Sequence, residues 1–419
     1  MPEDARAPAE PLVGAGQGVI GALLARKKII VCVGPGGVGK TTTSAALATL
    51  AAARASGART LVSTIDPAPR LADALGVTLS AEPAAVPATV GAALGLGAHR
   101  LFVARLDTAR AFAKLVEEQV PDEAMRRRIF DNPLYRQITT TLTGSQEYAA
   151  TLALYDLVRG GQFDLIVLDT PPAAHALDFL EAPRRISDAI SSPALGWFAR
   201  PADASRFSWQ RLRSGGALVL KRLGKLVGSR FLEDVAAFLT DFQVVLAGFL
   251  ERAHSIEARL RQDDVSFLLV LSPETSAVDE ALTFARQLQD AGIALGAFVV
   301  NRVHAPWPPS HASSIIAGAG AGAGAGAPLT AVPSHLELER RLRARAETGG
   351  LPPDDVRLAA RRLAELVDER EQLVADEQRE LARLAARRPD IPIVQIPLLE
   401  HDIASLAALR TISEHLARA

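Results

Sequence analysis

Apolar residues in this chain cluster in short unbroken runs set apart by helix-spaced stretches. Ile29–Val33 is wholly apolar and mostly β-branched. More strand-like runs, some with one or more polar residues, follow at Thr60–Thr64, Leu101–Leu106, Phe163–Leu168, Phe267–Leu271, Ala297–Val300 and Ile393–Ile396. Continuous rather than alternating runs predict strands covered on both faces, as in a parallel sheet. Ala- and Leu-rich segments such as Thr41–Arg54 favour helix and separate the runs. That alternation predicts βαβ units and a doubly wound α/β fold, in which ligands sit beyond the carboxyl ends of the strands.

Between Leu168 and Phe267 no strand is predicted. Phe231, Val235, Phe238, Phe242, Leu246 and Phe249 recur there at three- and four-residue steps, the pattern of an amphipathic helix. Its aromatic face is either core or a surface for a partner or client. Ala317–Ala327 alternates Ala and Gly and reads as a flexible linker within an exposed loop over 304–330. Pro353–Arg388 is periodic and charged, predicting a long helix or a helical hairpin with a solvated face. The chain thus divides into a tail and lead-in helix (1–26), a core (27–180), a helical subdomain (181–262), more core (263–303), a Gly/Ala-rich insertion (304–352), the charged helix (353–389) and a last core piece (390–419).

The first run stops at Gly34-Pro35-Gly36-Gly37-Val38-Gly39-Lys40-Thr41, which fits G-x-x-x-x-G-K-[ST] between a strand and a helix. Four glycines in six residues let backbone N–H groups turn inward around a polyphosphate without a Cβ in the way. The helix that follows adds its N-terminal partial charge, about half an elementary charge. Lys40 can reach the outer phosphates, and the Thr41 hydroxyl suits Mg²⁺. Gly36, Gly37, Val38, Gly39, Lys40, Thr41 and Thr42 are therefore the candidate nucleotide-binding residues, with Lys40 also catalytic. The fold class that follows is a P-loop NTPase with an inserted helical subdomain.

Composition adds exclusions. Net charge is −1, so no basic field points to nucleic acid. A single cysteine, Cys32, cannot build a disulfide framework or a thiolate metal cluster. The N-terminus lacks a signal-peptide pattern and no run is long enough for a membrane span, so the expected location is cytoplasmic.

Other strand ends carry chemistry. Asp66 follows Thr60–Thr64, where a carboxylate can position the attacking water or cap the helix around Pro69–Leu75. Asp169 ends the apolar strand 163–168, as the Mg²⁺-side acid of such an enzyme requires. Thr170 to His175 follow directly, placed to sense the terminal phosphate; His175 is either part of that switch or a surface histidine. Asn301 ends another strand, and an amide can pair with an adenine edge. Pro397 and Leu398, after the last strand, can flank the base.

Together these segments resemble the arsenite-pump (ArsA-type) and tail-anchored-protein-targeting ATPases, relatives of the ParA- and MinD-like proteins. GGVGKTT (36–42) resembles their deviant Walker A loop, STIDPAPRLADALG (63–76) switch I and LDTPPAAHALDFL (168–180) switch II. VVNRV (299–303) and IPLLEHDI (396–403) resemble the adenine-side segments, and FDNPLYRQITTTLTGSQEYAATLALYDLV (130–158) the stretch before switch II in bacterial members. The resemblance covers most of 27–303 and 390–415. It implies an Mg²⁺-dependent ATPase working as a homodimer, or as a heterodimer with a related ATPase, with two nucleotide sites facing each other and a protein client at the helical subdomain. Asp66 and Pro67 would belong to switch I, Thr170 and His175 to switch II, and Asn301 would contact adenine.

Three departures stand out. Pro35 replaces the family's signature lysine, removing a cation and an N–H. The zinc-bridging and arsenite-binding cysteines are missing, so arsenite transport is not expected. Pro69 and Arg70 alter switch I. Two alternatives therefore remain: a weakly catalytic nucleotide-binding subunit paired with a lysine-bearing paralogue, and a ParA/MinD-like partitioning ATPase.

Overall fold

The strands are short and nearly all parallel, and the central ones are dry. In the computed structural model the described residues are 18–54, 58–66, 68–132, 145–170, 254–305, 352–399 and 405–418, with isolated helical positions at 135, 241, 245, 248, 251, 252, 340 and 343. Strands β1 (Ile29–Val33), β2 (Thr60–Thr64), β3 (Ala84–Ala85), β4 (Leu101–Arg105), β5 (Leu165–Asp169), β6 (Val265–Leu271), β7 (Leu295–Val303) and β8 (Ile393–Pro397) make one eight-stranded sheet in the order β3-β4-β2-β5-β1-β6-β7-β8. The two-residue β3 pairs antiparallel with β4, and the remaining pairs are parallel. β3 was invisible to the hydrophobic pattern, because Ala84 and Ala85 carry little strand preference.

Helices α1 (Val19–Arg26), α2 (Lys40–Ala53), α3 (Arg70–Leu75), α4 (Ala88–Ala93), α5 (Thr108–Gln119), α6 (Glu123–Asp131), α7 (Ser145–Arg159), α8 (Thr275–Asp290), α9 (Pro353–Arg387) and α10 (Leu406–Arg418) accompany the sheet. Side chains alternate across each strand, which splits the core in two. Ile29, Val31 and Val33 join one cluster, with residues of α5, α7 and α8. Ile30 and Cys32 join the other, with α1, α2 and α10. Helix α2 is buried along most of its length because β1, β2, β5 and α10 surround it. Ser413 of α10 donates to the Ala46 carbonyl of α2 at 3.0 Å, so even this dry contact satisfies its one hydroxyl.

β1 lies between β5 and β6. The chain runs outward from it in both directions, toward β2 and β4 on one side and β7 and β8 on the other. A crevice opens where strand order reverses in this way. Register then sets which side chains meet there. Asp169 is level with Cys32 of β1 and with Thr64 of β2.

The stretch read as a long helix or hairpin is one continuous helix, α9, of 35 residues. Ala360, Val367, Val374 and Leu381 recur every seventh position and are buried, with Glu377 between the last two and Leu384 one turn beyond. Each fully buried aliphatic side chain in that seam contributes roughly 1.5–3 kcal/mol. Leu358, Leu366 and Leu373 remain exposed on another face. The buried Glu377 is satisfied by the chain just beyond β7. The His304 N–H donates to one carboxylate oxygen at 2.8 Å, and the His304 ring Nδ1 lies 2.6 Å from the other. No described helix is long and apolar enough to cross a membrane. The aromatic face at Phe231, Val235, Phe238, Phe242, Leu246 and Phe249 and the linker at 317–327 lie outside the described residues.

Candidate functional site

The glycine loop turns between β1 and α2, and two of its glycines are dictated by close approach. Gly34 has φ +146°, and a Cβ there would come within 1.9 Å of the Val270 carbonyl oxygen on β6. Gly39 has φ +94°, and its Cβ would fall 2.3 Å from Nδ2 of Asn301. Either substitution would force the loop off its neighbours, besides straining the backbone. Gly36 and Gly37 form the exposed part of the loop. The Val38 side chain is buried in the core, leaving its backbone to face the loop.

Lys40 is only 7% exposed. Its ammonium donates to the carbonyls of Gly34 at 2.9 Å and Pro35 at 2.7 Å, so it rests against its own loop. Burial pulls its pKa below the ordinary lysine range, with Asp169 acting in the opposite direction.

Asp169 is fully buried at the tip of β5. One carboxylate oxygen accepts from the Thr41 hydroxyl at 2.8 Å and from the Thr64 hydroxyl at 3.0 Å. The other has no partner among the described residues. Burial pushes this carboxyl up to about 6, against the pull of the two hydroxyls and of Lys40. A dry, half-satisfied carboxylate beside a hydroxyl is a hard-oxygen donor pair, and it suits Mg²⁺ carried in on a polyphosphate. No cluster of three or more His, Cys, Asp or Glu that could hold a metal occurs among the described residues.

Thr64 also accepts from the Asp66 backbone N–H at 3.1 Å. A hydrogen-bond chain therefore runs from Asp66 through Thr64 to Asp169 and on to Thr41. The Asp66 side chain takes up two of the roles open to it. One oxygen accepts from the Ala68 N–H at 2.9 Å, making a local turn before α3, and the other meets the Arg70 guanidinium at 3.3 Å. Thr170 opens the next segment, with its hydroxyl donating to the Cys32 carbonyl at 2.8 Å. Cys32 itself is sealed in β1, and burial pushes its thiol up to about 12.

A cavity of about 380 Å³ collects these groups. Gly37, Gly39, Lys40, Thr41, Thr42, Asp66 and Thr170 line it, together with Arg70, Asp73 and Ala74. Asp169 lies beneath, reached through Thr41. Asn301 sits under the loop instead. Its Nδ2 donates to the Val38 carbonyl at 2.8 Å and its oxygen accepts from the Arg302 N–H at 3.0 Å. The amide here braces the phosphate loop, with one N–H and its oxygen engaged by the backbone. Pro397 and Leu398 stand at the end of β8, separated from β1 by β6 and β7. Pro67 and His175 lie outside the described residues.

The sequence reading gave no role to Thr64 or Asp73, and it noted Arg70 only as a change to switch I. The signals were faint. Thr64 ends an apolar run in a hydroxyl, and Arg70 stands four residues after Asp66, the spacing of an ion pair. Asp73 carries no pattern of its own.

The profile of the ArsA ATPase family, described as anion-transporting ATPase, matches residues 27–193. The protein named ATPase GET3 of Malassezia globosa is 25% identical over 284 residues, 68% of this chain and 75% of that protein. The ATPase ASNA1 homolog of Entamoeba dispar is 31% identical over 163 residues, 38% of this chain and 46% of that one. ATPase GET3 of Rhodotorula glutinis is 32% identical over 164 residues, 39% of this chain and 43% of that protein. Residues 27–193 thus carry the likeness to the ArsA-type ATPase family, and the relatives named here are themselves named ATPases. The family match runs from the lead-in to β1 past the end of β5, and so includes the phosphate loop, Asp66 and Asp169.

Proposed function

We propose that the chain is an Mg²⁺-dependent ATP-hydrolysing switch that conveys its nucleotide state to a protein client or a partner ATPase. The observation that carries this reading is the continuous hydrogen-bond chain Asp66–Thr64–Asp169–Thr41. It ties the residue suited to the attacking water to the residues suited to the metal. Thr41 and Asp169 would hold Mg²⁺, which when bound neutralises developing charge on the phosphates. Lys40 would leave the Gly34 and Pro35 carbonyls for the outer phosphates. Asp66 would orient water for in-line attack on the terminal phosphorus. Loss of that phosphate would alter the charge facing Thr170 at the head of switch II, and the family resemblance suggests that this segment leads the signal outward. Asn301 would contact adenine only if its bond to Val38 opened.

Phosphate release from Mg²⁺-ATP by the purified chain, compared with a Lys40→Ala variant, tests the reading. Release should exceed the variant's at least tenfold. Equal rates, alone and with co-purifying proteins, would refute it. Pro35 favours a second reading, in which a lysine-bearing paralogue completes the site. Full turnover by a homodimer would eliminate that version.

A further inference from the structure

Arg70 occupies an unusual position. It lines the same cavity as Lys40, Thr41 and Asp66. Its side chain is 62% exposed, while that of Asp66 is 17% exposed. Its one described contact is the single 3.3 Å bond to Asp66, so most of its five donors face solvent. The Arg70 charge is felt at Lys40, whose pKa it helps to lower. The cation therefore lies within electrostatic range of the place where phosphates would lie. A terminal phosphate offers more negative charge than one carboxylate and fits the guanidinium fork in a bidentate way. Among the described residues the rest of the cavity lining supplies one other cation, Lys40, and Pro35 supplies none.

Resting on the function proposed above, we propose that Arg70 is a catalytic cation acting within its own chain. It leaves Asp66 for the terminal phosphate when Mg²⁺-ATP binds, and the same movement releases Asp66 to orient the water. In the step that follows, the water oxygen bonds to the terminal phosphorus. The bond from that phosphorus to the bridging oxygen breaks, with its electron pair passing to ADP. Both of the water's protons leave on inorganic phosphate, as H2PO4−. Arg70 donates hydrogen bonds to the transferring oxygens throughout and is not consumed. The resting ion pair thus keeps the water-orienting acid occupied until a triphosphate arrives.

The test compares the full chain with Arg70→Ala and Arg70→Lys. Phosphate release is followed at saturating Mg²⁺-ATP, and calorimetry gives Kd for Mg²⁺-ADP and for the non-hydrolysable Mg²⁺-AMP-PNP. Arg70→Ala should turn over at least about tenfold more slowly, a conservative fraction of what an arginine finger supplies. It should bind ADP within about twofold of the parent and lose affinity for AMP-PNP selectively. Arg70→Lys should recover part of the rate. Added guanidinium ion at non-denaturing concentration should restore turnover to Arg70→Ala alone, which a purely structural role for Arg70 would not produce. Turnover by Arg70→Ala within about twofold of the parent, or equal losses for ADP and AMP-PNP, overturns this inference and leaves the ATPase reading standing. A parent chain that binds neither nucleotide overturns both.

Discussion

Asp66 and Asp169 stand at the ends of neighbouring strands, yet their surroundings differ in nearly every respect. Asp169 is fully buried, held by two hydroxyls and left with one oxygen unpartnered. Asp66 is partly exposed and ion-paired to a mobile class of side chain, an arginine reaching back from α3. The difference follows from register. Asp169 is the last paired residue of β5, flanked by β1 and β2, whereas Asp66 lies two residues beyond the end of β2. A carboxylate that must meet a metal at fixed distance gains from a rigid strand on each side. One that must first be blocked and then freed gains from a turn and from a weak, solvent-screened partner.

Substituting the buried acid should separate the two most sharply. Asp169→Asn should lower Mg²⁺-ATP turnover by about 10³-fold, since metal charge stabilisation contributes several kcal/mol. The same change should stabilise the ligand-free chain. A carboxyl at about 6 instead of the ordinary 3.8 corresponds to on the order of 3 kcal/mol of unfavourable charge burial at neutral pH. A thermal melt of the variant should therefore rise while its activity falls. A lower melting temperature would show that Asp169 contributes net stability.

Asp66→Asn should cut turnover by about 10²-fold, at the low end of general-base effects, and leave the melt and the Mg²⁺-ADP Kd nearly unchanged. Parallel losses in binding and rate would put Asp66 on the metal side and erase the distinction.

The third contrast is in pH. Because the folded pKa of Asp169 lies above its unfolded value, the native state binds the extra proton between about pH 4 and 6. Ligand-free stability should fall as pH rises through that window and level off above it. Metal binding needs the ionised form, so Mg²⁺-nucleotide affinity should weaken up to about tenfold per pH unit below 6. Calorimetry across pH 5–8 reads this directly, and the Asp169→Asn variant should show no such slope. The smallest effect concerns the hydroxyl that joins the two acids. Thr64→Val should cost about 1 kcal/mol in a chemical melt. It should also move the Asp169 midpoint upward, because Thr64 is one of the bonds that hold it down.

Much of the sheet was legible beforehand. β1 and β2 begin and end where the strand-like runs do: β1 is wholly apolar, and β2 is buried throughout although Thr60, Ser63 and Thr64 carry hydroxyls. β7 runs past its apolar run into Asn301 and Arg302, and there pairing with β8 rather than residue preference sets the length. α9 proved continuous because its sevenfold seam is never broken by Gly or Pro. At the site, Lys40, Thr41 and Asp169 were readable from motif and strand end. Thr64, Arg70 and the brace by Asn301 were not, because each depends on a partner that only the sheet order brings close.

That brace carries a consequence for how the sequence can change. Nδ2 of Asn301 fills the space a Cβ on Gly39 would need, although the two positions are 262 residues apart along the chain. Neither can drift alone. A larger residue at 39 collides with the amide, and a shorter one at 301 leaves the Val38 carbonyl without its donor. Random mutagenesis should therefore recover functional changes at these two sites only as a linked pair.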